Sequence, residues 1–130
     1  MIGFDTGFFV KFAERKEETL STWQKIENGK ENGVISVVTL YELRTLALKG
    51  AMKVEFEEIK NLIYECLLVV PLTPEIADRA AFLSHGTGIH MADALILASL
   101  LEAGCKEVYT DNIAHLGRYK GKEVKIVPVV

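Results

Sequence analysis

Four acidic residues, Asp5, Glu42, Asp93 and Asp111, each fall where an apolar strand-like stretch ends or a helical stretch begins. Carboxylates gathered in one place suit a divalent cation, because a hard ion such as Mg²⁺ prefers oxygen ligands. In an open parallel α/β sheet the carboxyl ends of the strands face one crevice, and the helices that follow start with their positive dipole ends turned toward it. Acids far apart in the chain can therefore meet there.

Taken singly, each acid has a simpler reading. Asp5 precedes a helical stretch, where its side chain could cap the free N–H groups of the first turn. Thr39-Leu40-Tyr41-Glu42 matches a capping box, in which Glu42 would reach back to the Thr39 N–H. Asp111-Asn112 has the chemistry of an Asx turn. Asp93 is the least comfortable of the four. It sits early in an apolar helical segment, His90-Met91-Ala92-Asp93-Ala94-Leu95-Ile96, where an acid suits the dipole but costs desolvation if it faces the core. The combination of Asp5, Glu42 and Asp111 after strand ends argues for more than three separate caps. Without a cation, carboxylates held close repel, so at least one is expected to keep its proton above the ordinary range.

Such a site needs a particular order of elements. Residues 1–4 form a short apolar opening, and from Thr6 the residues Phe8, Phe9, Phe12 and Ala13 recur at helical spacing. A second helix carries Leu20, Trp23 and Ile26 up to the glycine-rich stop at 28–33. Residues 34–37 then read as a strand, and a helix over 39–48 ends at Gly50. Val54, Phe56, Ile59, Leu62, Ile63 and Cys66 give another helix. The apolar run 67–72, closed by Pro71 and Pro74, predicts a third strand. Pro74 suits the first turn of a helix reaching about Ser84, before His85-Gly86-Thr87-Gly88 breaks it. The most apolar helix spans 91–103 and stops at Gly104. Residues 107–110 are strand-like, 118–122 form a basic loop, and 124–130 are a last apolar run. This alternation predicts one α/β domain over 1–130, with a mostly parallel central sheet flanked by helices on both faces.

Composition narrows the function classes. With 49% hydrophobic residues and a mean hydropathy of +0.19, the chain can bury a core without disulfides or metal staples. Net charge is −3, the wrong sign for a protein that coats nucleic acid by bulk electrostatics, so a nucleic-acid partner must be gripped locally. Four acids in one pocket would account for that balance, and bound cations would reverse it where a phosphate sits. No run reaches the roughly 18 apolar residues of a membrane span, and no basic segment leads into an apolar signal, so a cytoplasmic protein with no membrane partner is expected. Cys66 and Cys105 lack a second cysteine at metal or redox spacing and read as buried reduced thiols.

Four segments, Asp5-Thr6 after the opening strand, Ser36-Val37-Val38-Thr39-Leu40-Tyr41-Glu42-Leu43, Ala92-Asp93-Ala94-Leu95-Ile96 and Val108-Tyr109-Thr110-Asp111-Asn112, together resemble a PIN domain, in order and spacing from end to end. The chain is similar in particular to the small VapC-like toxin ribonucleases of prokaryotic toxin–antitoxin pairs. The resemblance implies a Mg²⁺- or Mn²⁺-dependent ribonuclease whose metal site includes Asp5, Glu42 and Asp93. The fourth position falls on Asp111, Asn112 or both, since the family often shows Thr, any residue, then Asp. It also implies a cognate antitoxin and a homodimer. A free-standing RNA-processing or decay nuclease, and a degenerate PIN module that binds RNA or protein without cleaving, remain alternatives.

The other polar residues add less. His85, His90 and His115 lack the spacing of a zinc helix motif, and Gly86-Thr87-Gly88 lacks the Lys-Ser/Thr of a phosphate loop. His90 lies one turn before Asp93 and suits a helix start. Lys49 shares a helical face with Glu42, and with Lys11, Arg15 and the 118–122 loop it could meet phosphate, although solvated surface charge is the default use of such residues. Phe8, Phe9, Phe12 and Trp23 have core spacing.

Overall fold

The computed structural model describes residues 1–129, so Val130, the end of the expected apolar run, lies outside the described residues. In chain order the elements are β1 (Ile2–Phe4), α1 (Thr6–Ala13), α2 (Glu17–Glu27), β2 (Gly33–Ser36), α3 (Val37–Leu48), α4 (Phe56–Cys66), β3 (Leu67–Val70), α5 (Pro74–Thr87), α6 (Met91–Glu102), β4 (Glu107–Thr110), α7 (Ile113–Leu116) and β5 (Lys125–Pro128). The strands form one sheet in the order β3-β2-β1-β4-β5, and every neighbouring pair is parallel. The chain builds outward from β1 through β2 to β3, then returns to the other side of β1. The topological switch therefore falls between β1 and β4, where the helices on either side diverge and leave a crevice at the carboxyl ends.

Two cores separate the helices into layers. Val34 and Val108 pack with Ile76, Ala80, Ile96, Leu97 and Leu100, joining the sheet to α5 and α6. Ile35, next along β2, faces the other way and joins Phe4, Phe8, Phe9, Trp23, Leu43, Ile59 and Ile63 from β1 and α1 to α4. This is the period-2 alternation of a strand covered on both faces. Phe8, Phe9, Phe12 and Trp23 form the aromatic cluster of the second core, with Phe9 and Trp23 edge-to-face at 6.4 Å and Phe12 and Trp23 at 5.1 Å.

Several boundaries differ from the sequence reading, each for a local reason. The second strand ends at Ser36, not Val37, because the Ser36 side chain accepts from the Val38 N–H at 3.1 Å and starts α3 two residues earlier than expected. The run 67–72 pairs only as far as Val70, since Pro71 has no N–H to continue the ladder. The helix α5 runs through His85 and Gly86 to Thr87, whose hydroxyl donates back to the Leu83 carbonyl at 2.6 Å; the break comes at Gly88, which takes the left-handed φ of 76°. The short helix α7 was not expected from the sequence. Cys105 lies in the turn after α6 and is buried, whereas Cys66 is half-buried, and both are free thiols. Among the described residues no helix is long and apolar enough to cross a membrane.

Candidate functional site

The carboxyl end of the switch point opens into a cavity of about 420 Å³, and Asp5, Glu42, Asp93 and Asp111 all line it. Topology explains the convergence. Asp5 follows β1 and Asp111 follows β4, adjacent parallel strands whose carboxyl ends share an edge. Glu42 comes from α3, the helix that leaves β2. Asp93 comes from the first turn of α6, which leads into β4; a helix running back against the parallel strands starts at their carboxyl edge, so its first turn faces the same crevice.

Asp5 is the innermost acid, only 4% exposed. One carboxylate oxygen accepts the Phe8 N–H at 3.2 Å and caps α1; the other accepts the Thr110 hydroxyl. The cap and cavity-lining roles of Asp5 thus coexist. Thr110 is itself held by the Asn112 N–H at 2.8 Å, so a short relay ties the β4 turn to Asp5. Burial pushes the Asp5 pKa up to about 7 from 3.8; the Asp111 and Asp93 charges add to that rise, while the Thr110 and Phe8 hydrogen bonds oppose it. Desolvation exceeds the repulsion that the sequence suggested as the cause.

Glu42 does not close a capping box. Because Ser36 caps α3, Thr39 lies inside the helix, and Glu42 instead accepts the Thr6 hydroxyl at 2.5 Å. Thr6 Oγ1 also stands 3.3 Å from Thr39 Oγ1, so the three polar groups join α1 to α3 beside the cavity. Asp93 faces His115, whose Nδ1 stands 3.3 Å from its carboxylate, and the Asn112 amide, which donates at 3.5 Å. His90 occupies the α6 cap position without a side-chain cap bond, and its ring packs on His115 at 5.1 Å. Asp111 is exposed and lies over Gly7: a Cβ built there would overlap the Asp111 carboxylate.

Thr6, Gly7, Thr110 and His115 were therefore missed as site residues in the sequence. A signal existed for two of them, since Thr6 and Thr110 stand inside the quoted segments beside Asp5 and Asp111. Nothing local marks Gly7 or His115, whose partners lie far along the chain. Of the suggested cations, Lys49 lines the cavity, while Lys11, Arg15 and residues 118–122 do not.

The residues lining the cavity offer oxygen donors and no histidine or cysteine, a set that suits Mg²⁺ or Mn²⁺ better than zinc. Among the described residues, however, no three His, Cys, Asp or Glu side chains already form a group able to hold a metal ion. The acids share the cavity, but Asp5, Glu42 and Asp93 are each turned to a hydrogen-bond donor of the protein. Donor chemistry fits such an ion; a ready-made coordination shell is not formed.

Comparison with known proteins accords with this architecture. No curated protein matches the chain. Among solved structures, VapBC2 from Rickettsia felis, bound to a DNA fragment from its promoter, is 16% identical, with full coverage of both chains and a TM-score of 0.77. VapBC-1 from nontypeable Haemophilus influenzae is 16% identical, with 98% of each chain covered and a TM-score of 0.73. VapBC-5 from Mycobacterium tuberculosis, a member of the VapBC family of toxin–antitoxin systems, is 17% identical over 98% of this chain and 97% of its own, with a TM-score of 0.65. At such identities the likeness is one of fold. The family model described as PIN domain matches residues 2–121, nearly the whole chain and all four acid-bearing segments, so the chain belongs to the PIN domain family.

Proposed function

We propose that this protein is a Mg²⁺- or Mn²⁺-dependent ribonuclease, with Asp5, Glu42, Asp93 and Asp111 as its metal-binding and catalytic acids, and that it serves as the toxin of a toxin–antitoxin pair. The observation that carries the reading is the meeting of these four acids in one cavity of a PIN domain, although they come from four separate elements. Charge supports it as well. A buried acid whose pKa is raised by burial and by neighbouring carboxylates is a poor structural device and a useful one where a cation must be attracted.

When bound, the metal polarises the phosphoryl oxygens, supplies an activated water for in-line attack and stabilises the leaving oxygen. The protein's own residues prepare that chemistry. Thr110 and the Phe8 N–H hold Asp5, Thr6 holds Glu42, and His115 and Asn112 steady Asp93, so that the carboxylates face the cavity with restricted motion. Hydrolysis by this route leaves 5′-phosphate and 3′-hydroxyl ends.

The test is cleavage of a mixed RNA pool by purified protein with millimolar Mg²⁺, with Mn²⁺ and with EDTA, beside an Asp93→Asn control. Metal-dependent cleavage lost in the variant supports the reading, and cleavage indifferent to EDTA or to the substitution rejects it. The toxin assignment, with its cognate antitoxin, is supported by the folds of the VapBC structures, and the homodimer is what the family resemblance implies. An adjacent reading frame whose small product relieves growth arrest on co-expression supports it; growth unaffected by the nuclease alone favours a free-standing processing or decay enzyme.

A further inference from the structure

The cavity has one wall unlike the others. Asp5, Asp93 and Asp111 form an acidic side, whereas α3 contributes Tyr41, Thr45, Leu46 and Lys49 beside Glu42. Tyr41, Thr45 and Lys49 stand at i, i+4 and i+8, so they form one stripe along the helix. Two features set this stripe apart. Tyr41 is 72% exposed although it lines a cavity, while Phe8, Phe9, Phe12 and Trp23 pack against one another in the core. Lys49 is the only cationic residue lining the cavity among the described residues. Its place at the α3 C-cap suits the helix dipole, but that accounts for its charge and not for the aromatic ring two turns away.

We propose that this stripe binds single-stranded RNA, with Lys49 meeting a backbone phosphate and Tyr41 stacking on an unpaired base beside the bond that is cut. The inference rests on the ribonuclease reading of the cavity and deepens it by naming the residues of α3 that grip the substrate strand. Eight residues of helix separate Tyr41 from Lys49 by about 12 Å. Successive nucleotides stack at a rise of roughly 3.4 Å, so a stripe of that length leaves room for a base and the phosphates of its neighbours along one strand. In a duplex the base faces are covered by their neighbours, and only an unpaired base can offer a face to an exposed ring. A single cation opposite several acids also fits local grip by a protein of net charge −3, which has no general attraction for polyanions.

The test uses fluorescence anisotropy of a labelled mixed-sequence oligoribonucleotide, single-stranded or annealed to its complement, with Mg²⁺ and the Asp93→Asn background to prevent cleavage. Tyr41→Ala is expected to weaken single-strand binding roughly tenfold, with Tyr41→Phe near the parent and duplex binding weak and unaltered. Lys49→Gln is expected to weaken binding and lower the salt dependence of log affinity by about one, which Tyr41→Ala leaves unchanged. Thermal melts check folding, which an exposed ring should not alter. Unchanged single-strand affinity in both variants, or an equal loss for duplex and single strand in Tyr41→Ala, overturns the proposal. So does the absence of RNA binding by the parent. Cleavage of the RNA pool by wild type separates the two readings: cleavage without a Tyr41 effect removes this inference alone, and Tyr41-dependent binding without cleavage removes only the nuclease reading.

Discussion

Two charged clusters in this molecule follow opposite rules. Midway along α5, Arg79 reaches Glu102 at 3.0 Å and Glu123 at 2.6 Å, and all three side chains keep contact with water. In the switch-point cavity four acids converge, one of them almost wholly buried, and among the described residues no cation is set against Asp5. The first cluster balances its charge and gives up little solvation. The second accepts both desolvation and repulsion, an arrangement that destabilises the unliganded fold and leaves a strong local field for a cation. The difference separates charge paired for stability from acids gathered in one cavity, which is the arrangement that the proposed metal site calls for.

The sharpest way to break this contrast is to neutralise the cavity. Asp5→Asn and Asp93→Asn should each lower RNA cleavage by roughly a few hundred-fold or more while leaving the fold intact, because an amide keeps the shape and removes the charge that binds metal. Turnover close to wild type in either variant, measured free of contaminating nuclease, would remove that acid from the site.

The next effect is on metal-free stability. The folded pKa of Asp5 is raised to about 7 from 3.8, so the folded state binds its proton more tightly than the unfolded chain does. Its contribution is fully present below about pH 4 and is lost as pH rises through about 7. In EDTA, wild type should therefore lose a few kcal/mol between pH 5 and pH 8, and Asp5→Asn should melt several degrees higher than wild type at pH 8. Asp93→Asn should also melt higher than wild type in EDTA, by less, because it removes a smaller contribution to the same strain. Millimolar Mg²⁺ should restore wild type and affect both variants less. Melting curves without these differences would mean that the buried acid is already compensated.

A subtler probe concerns the outer acid. Gly7→Ala adds a methyl group where the Asp111 carboxylate lies, and an exposed carboxylate can swing aside at little cost in stability. Cleavage should fall roughly tenfold with the melting temperature nearly unchanged, and Asp111→Asn should cost more activity than Asn112→Ala because an anionic oxygen binds Mg²⁺ better. The two variants' Mg²⁺ requirements for half-maximal rate decide which residue is the ligand; a higher requirement in Asn112→Ala alone would transfer the role. The smallest effect belongs to the paired cluster. Arg79→Gln should cost under about 1 kcal/mol, less in high salt, and leave cleavage alone. A larger loss measured by urea unfolding would show that the exposed cluster contributes more than its solvation suggests.

Most of the elements were legible in the sequence because their signals are local. Asp5 caps α1 three residues from its donor, the Phe8 N–H, Pro74 opens α5, and the 107–110 strand stands out between Gly104 and Asp111-Asn112. Local signals also misled where two competed: Thr39 and Glu42 have the spacing of a capping box, yet Ser36 starts the helix first. The four acids could be named from motif order alone, and the sequence by itself thus determined which residues are the candidates for the chemistry and on which elements they stand. What only the tertiary structure decided is how those residues stand toward one another. The Thr6 hold on Glu42 spans 36 positions and the Thr110 hold on Asp5 spans 105, distances over which no cap or periodicity reports. Burial of Asp5, the close approach of Asp111 to Gly7 and the facing of His115 to Asp93 likewise follow from β4 lying next to β1, with α6 starting at the same edge. Desolvation and repulsion depend on distances through space, and those exist only once the sheet has closed its order.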